Sequence, residues 1–272
     1  MYAIARSHAA ERTPLLEGTP RGLLLALALM TLGAWLLASA GLVSTPIARA
    51  LAAGAAQGSL LACAVAWAVA RPAATADLLP IGIALTALVG ALAAALIPGG
   101  AALYLLAPLW LWRRRARFRG LGFDAMPSPG LMLAGLALGG ILGAHLMITA
   151  SMTLGYRIVP PVARDLAPWL AYDLGANVLA AECFFRGALF DRAHRRWSFA
   201  ASAALSTVAC VLRYLVDPLL PRTIEVAAGA AFYVALLSVG NCWLYWRSGR
   251  VTPGLIAGCV FFAVYRLLHV VR

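Results

Sequence analysis

Apolar residues in this chain come in long unbroken runs, not in the alternation of half-buried strands or the one-sided stripe of a surface helix. The runs are rich in Ala, Leu and Gly, with short polar breaks between them. A bilayer-crossing helix needs about 20 mostly apolar residues. On that rule the pattern predicts nine helical segments, at about 22–45, 51–70, 78–97, 101–112, 131–154, 167–189, 198–216, 224–246 and 251–270. The fourth is short. It follows Ile97-Pro98-Gly99-Gly100 and contains Pro108, so it reads as a bent continuation, a re-entrant segment or a short span. The first 21 residues are polar, with Arg6, Glu11, Arg12, Glu17 and Arg21. The run after them is too long for a signal-peptide core and lacks a clear cleavage site, so it reads as a retained first span.

Composition turns this pattern into a fold class. The chain has 272 residues, 63% of them hydrophobic and 12% charged, with a mean hydropathy of +0.86. A soluble domain is about 45–50% apolar and about 25% charged. A soluble globular enzyme is therefore excluded, as is a disordered chain, which needs low hydrophobicity. Continuous runs also argue against an outer-membrane barrel, whose strands alternate. The expected fold is all-α: a polytopic integral membrane helical bundle with about eight to nine transmembrane helices. Its expected organisation is a cytoplasmic N-terminal segment (1–21), N-terminal transmembrane helices (22–112) and a transmembrane domain over 113–272.

The net charge is +12, and all 22 basic residues are arginine. If the N-terminus is cytoplasmic and every segment crosses, the cytoplasmic stretches hold 14 of them: Arg6, Arg12, Arg21, Arg71, Arg113, Arg114, Arg115, Arg117, Arg119, Arg192, Arg195, Arg196, Arg247 and Arg250. The outer stretches hold Arg49, Arg157, Arg164, Arg222 and Arg272, and Arg186, Arg213 and Arg266 lie within spans. This is the bias of the positive-inside rule. It predicts a bacterial inner (plasma) membrane protein with a cytoplasmic N-terminus. The loop Arg113 to Gly130 would meet anionic headgroups, making the lipid bilayer its partner and not nucleic acid.

Candidate chemistry is sparse. Cys63, Cys183, Cys210, Cys242 and Cys259 all sit in apolar runs and read as small hydrophobes. With no CxxC, no HExxH and only His8, His145, His194 and His269, neither a metal site nor a cofactor is expected. An ionisable residue inside a span is costly and points to function. Glu182 and Arg186 are the leading pair, spaced i, i+4 on one helix face, with the glutamate on the favourable N-terminal side. Spacing alone also fits an internal ion pair that fixes helix packing. His145, Arg213, Asn241, Arg266 and His269 are the other polar groups in or near spans. Arg213 is expected to snorkel outward, and Arg266 and His269 to lie at the outer interface.

The stretch Ala181-Glu182-Cys183-Phe184-Phe185-Arg186-Gly187 resembles the EExxxR motif, usually followed by Gly, of the CAAX-processing and bacteriocin-processing (CPBP, or Abi) intramembrane protease family. Ala201 and Ser206 resemble the second-motif helix. Trp243 to Ile256 resembles the approach to the third motif, and Phe118-Arg-Gly-Leu-Gly-Phe123 an upstream segment. The similarity covers about 113–265. In the family, the first Glu of the motif acts with histidines of an FxxxH and an HxxxN motif to activate water. Here that Glu position is Ala181. The second motif aligns Ala209 with its Phe and Arg213 with its His. The third aligns Gly258 with its His and Phe262 with its Asn. Glu182 and Arg186 are the catalytic-motif residues that remain. A one-residue shift turns a helical side chain by about 100°, which is expected to aim Glu182 away from the place of its neighbour.

The resemblance therefore implies an endopeptidase-like membrane protein that has lost its hydrolytic set and acts by binding a membrane partner. One alternative is an active glutamic-type endopeptidase using Glu182 with His145 or an ordered water on a membrane protein or peptide substrate. Another is a small transporter or helical scaffold.

Overall fold

A computed structural model describes residues 15–69, 78–160, 162–215 and 224–269. Arg6, Arg12, Arg71, Asp217, Arg222 and Arg272 lie outside the described residues. Helices dominate, and they follow the apolar runs. They are α1 (Arg21–Ser39), α2 (Thr45–Ala68), α3 (Leu78–Leu96), α4 (Leu106–Arg113), α5 (Pro129–Leu154), α6 (Ala163–Tyr172), α7 (Val178–Ala181), α8 (Asp191–His194), α9 (Phe199–Leu215), α10 (Ile224–Ser248) and α11 (Thr252–Tyr265). Five helical stretches among the described residues are long and apolar enough to cross a bilayer: Arg21–Ser39, Thr45–Ala68, Leu78–Leu96, Pro129–Leu154 and Ala227–Ser248. Phe199–Leu215 and Thr252–Tyr265 are shorter apolar helices. The fold is an all-α helical membrane bundle.

The ends of the first and ninth runs differ from the apolar pattern for local reasons. The first run continues to about residue 45, but α1 stops at Ser39. Gly41 takes a left-handed backbone (φ 73°). The Gly41 and Leu42 N–H groups donate to the Ala38 and Leu37 carbonyls, closing the helix end with the glycine cap that such a conformation permits. Pro46 then sits in the first turn of α2, where its missing N–H costs nothing. The ninth run ends at Tyr265, because Leu268–His269 (β2) pairs antiparallel with Arg157–Ile158 (β1).

Residues 163–194 form one continuous central helix that is not α-helical throughout. Asp173–Asn177 and Glu182–Phe190 are wound as π-helix, linked by the single turn of α7. π-turns within α-helices are rare and concentrate at functional sites. In an unbroken α-helix, Asp173 and Glu182 are nine residues apart and would face roughly opposite sides. Each inserted residue of a π-turn rotates the following face back by about 100°. Both carboxylates accordingly point inward, with Asp173 1% and Glu182 3% exposed.

Helix contacts fix the threading. A 3₁₀ turn, Gly100–Leu105, runs back down α3, with Gly100 against Ala93 and Tyr104 against Gly90. Further on, Gly120 lies against Ala68 at the end of α2. The fourth segment thus returns the chain to the end of the bundle where α2 finishes. Glycines 135, 139 and 143 let α5 lie close along α11, against Pro253, Ala257 and Val264. The central helix is buried among α2, α9, α10 and α11. Trp67 of α2 packs on Phe184 (ring centroids 5.5 Å apart), and Gln57 Nε2 donates to the Tyr172 hydroxyl at 3.0 Å. The N-terminal helices are therefore packed onto the helix that carries Glu182.

Candidate functional site

Glu182 and Arg186 project from the second π-segment into the bundle interior. Arg186 Nη1 lies 3.4 Å from Glu182 Oε1, and both side chains are almost wholly buried. The rest of the site comes from helices remote in sequence. Asn241 of α10 donates from Nδ2 to Glu182 Oε1 at 2.8 Å and lies 3.4 Å from the Gly254 carbonyl. Glu182 Oε2 rests directly against Gly254, at a point where any side chain on that residue would strike the carboxylate. Arg186 Nη1 also reaches the Cys210 sulfur at 3.4 Å, and the Ser206 hydroxyl donates to the Phe185 carbonyl at 2.7 Å. One glutamate, one arginine and one asparagine thus form a closed polar cluster in an apolar surround. In such a medium each charge makes the other tolerable.

Beside this cluster is a cavity with room for about one water molecule. Its walls include Ala181, Glu182 and Arg186 of the central helix, Cys210 and Tyr214 of α9, and Gly258 and Phe262 of α11. The residues aligned with the family's first Glu and with its third-motif His and Asn therefore meet around one space. That space is lined by a methyl group, a glycine and a phenyl ring in their place. Ala181 and Glu182 both reach it, so the expected 100° divergence does not exclude Glu182. Of the residues that line it, Glu182 and Arg186 each keep a buried polar atom, Oε2 and Nε, without a hydrogen-bond partner. They are available to a single ordered water.

Other sequence candidates are placed differently. On α9, the cavity wall is Cys210 and Tyr214, and not Arg213. Arg213 Nη1 instead donates to Asn177 Oδ1 at 3.0 Å, with its guanidinium 4.3 Å from the Tyr214 ring. His145 is on the exposed side of α5, with Nδ1 2.7 Å from the Tyr233 hydroxyl, and it is not part of the cavity wall. Arg266, expected at the outer interface, reaches inward and grips Asp173 with two hydrogen bonds of 2.9 and 2.8 Å. For His269 only the backbone pairing in β2 is described.

Asp173 is the residue the sequence reading missed. Buried in the first π-segment, it accepts from Asn177 Nδ2 at 3.2 Å as well as from Arg266. Tyr214 OH lies 3.3 Å from Asn177 Oδ1, so polar contacts run from Arg266 to the rim of the cavity. The available signal was an aspartate four residues before Asn177 and nine before Glu182, in an otherwise apolar stretch.

A helical membrane bundle with a buried Glu-Arg-Asn cluster at a π-wound helix defines the class: a polytopic membrane protein with an intramembrane polar site. A family model described as Type II CAAX prenyl endopeptidase Rce1-like matches residues 163–264. Over these residues, the central helix through α11, the chain is similar to the CAAX protease family. No curated protein and no solved structure matches the chain.

Proposed function

We propose that this membrane CAAX-protease-like protein is hydrolytically silent and acts by binding a membrane partner. The observation that carries this reading is the filling of the cavity. A general base must lie within hydrogen-bond reach of the water it activates, and a second group must help move the proton. Ala181, Gly258 and Phe262 offer neither. The remaining carboxylate, Glu182, has one oxygen engaged by Arg186 and Asn241. Space for one water does not admit a peptide. Gly258 also cannot regain a side chain freely, since a Cβ there would sit 2.5 Å from Val178 Cγ1.

The second reading is an active glutamic-type endopeptidase. It is favoured by the unpartnered Glu182 Oε2 beside a water-sized space. One assay separates the two. The full chain, purified in mild detergent, is given a fluorogenic prenylated CAAX peptide, the substrate class named by the family model. The expected result is no cleavage above the protein-free control. Cleavage that Glu182→Ala removes, with the variant still folded, would establish the second reading and overturn the first.

For placement, we propose a bacterial inner membrane with the N-terminus in the cytoplasm. The ends of α4, α8 and α10, with their arginines, lie at one end of the bundle together with the start of α1. The positive-inside rule supports calling that end cytoplasmic. Cysteine labelling from outside intact cells, at Leu42→Cys and at Met126→Cys, tests it. The former is expected to react and the latter to be protected.

A further inference from the structure

The arginine-rich end carries a charge pattern that threading alone does not require. Arg113 ends α4, Arg114 follows as its cap, and Arg115–Arg117 form a tight 3₁₀ turn. Arg113, Arg114, Arg115 and Arg117 are exposed. Among the described residues none of the four has an ion-pair partner. Two carboxylates near this end are engaged elsewhere, Asp191 with Arg195 at 2.6 Å and Asp124 with Arg250. Trp112 stands beside the four arginines, 63% exposed, with the Arg115 guanidinium 5.9 Å from its ring. A tryptophan in this position marks headgroup depth, where its apolar body and polar edge are both satisfied. The chain then turns in to Phe118 and Leu121, both fully buried, which anchor the turn against the bundle.

We propose that Arg113, Arg114, Arg115 and Arg117 form a binding site for the phosphate of an anionic phospholipid, with Trp112 packed at the level of its glycerol backbone. Guanidinium groups recognise phosphate oxygens in pairs, through two parallel hydrogen bonds. Four guanidinium groups carried on the helix end and the one short turn after it offer several such donors to one headgroup region. A zwitterionic lipid offers the same phosphate, but its own ammonium competes with the arginines. The site therefore selects for anionic lipid and retains it through purification.

The test uses the full chain reconstituted in phosphatidylcholine vesicles. They carry either brominated phosphatidylglycerol or brominated phosphatidylcholine at equal mole fraction. Bromine quenches tryptophan at contact, and the difference between wild type and Trp112→Phe isolates the Trp112 emission. Both leaflets hold the same lipid, so the direction of insertion does not affect the result. Brominated phosphatidylglycerol is expected to quench that emission at lower mole fraction. Its relative affinity should fall about fivefold for each arginine changed to glutamine. Single variants such as Arg114→Gln preserve the assay if the fourfold variant fails to fold. Equal quenching by the two lipids, or a preference unchanged by the substitutions, overturns the proposal. So does loss of the preference in inorganic phosphate but not in chloride of equal ionic strength, which would point to a free-phosphate site.

Discussion

Removing either member of the Glu182–Arg186 pair should destabilise the protein far more than removing both. The two charged atoms are 3.4 Å apart, and both side chains are nearly inaccessible. At an effective dielectric of about 20, charges at that distance attract by ~5 kcal/mol. Glu182→Ala leaves a buried guanidinium whose remaining described contacts are the Cys210 sulfur and the face of the Phe185 ring. Arg186→Met leaves a buried carboxylate held by Asn241. Breaking a buried pair by removing one partner costs about 3–5 kcal/mol, whereas replacing both by apolar groups of similar volume is often neutral. The double variant Glu182→Leu/Arg186→Met should therefore recover most of the loss. The assay is a double-mutant cycle read by denaturant unfolding in mixed micelles, with helical circular dichroism as signal. A coupling of roughly 2 kcal/mol or more is expected. Single variants costing under about 1 kcal/mol each, and adding in the double, would refute the idea that the pair neutralises itself in a dry interior. That outcome would mean that water reaches the cluster.

Three further outcomes follow from the packing. Gly258→His drives its Cβ into Val178, so it should cost about 1–3 kcal/mol of stability. It should also yield no cleavage of the prenylated peptide, even combined with Ala181→Glu. Asp173→Asn removes the charge that Arg266 grips by two hydrogen bonds. Because Arg266 is partly solvated, the expected loss is smaller, about 1–3 kcal/mol by thermal unfolding, and partly recovered by adding Arg266→Gln. Gly139→Val places a side chain on the Ala257 carbonyl, where backbone must move. It should loosen α5 from α11 and lower the unfolding midpoint, whereas Gly140→Val, which meets nothing, should be close to neutral.

Much of the fold was legible because its determinants are local. A bilayer-spanning helix is a property of some 20 consecutive side chains, and the apolar runs gave every described helix long enough to cross a bilayer. The pairing of Glu182 with Arg186 was equally visible, since residues four apart share a helix face. The stop at Ser39 was lost because the pattern stays apolar through a turn that Gly41 makes. The π-wound turns were invisible for a related reason: they insert a residue without altering composition. With them went the inward aim of Asp173 and the reach of Glu182 into the same cavity as Ala181.

Sequence by itself determined that this is an all-α membrane bundle, that its arginines gather toward alternate loops, and that one carboxylate and one guanidinium share a face inside it. Tertiary structure decided what those two groups meet. Asn241 and Gly254 approach Glu182 from helices some sixty to seventy residues away, and Arg266 crosses ninety-three residues of sequence to grip Asp173. Tyr214, and not Arg213, closes the cavity wall. Such contacts depend on the rotation and depth at which packed helices meet, and those are set by small residues and wide turns acting together across the bundle. No single stretch of the chain encodes them.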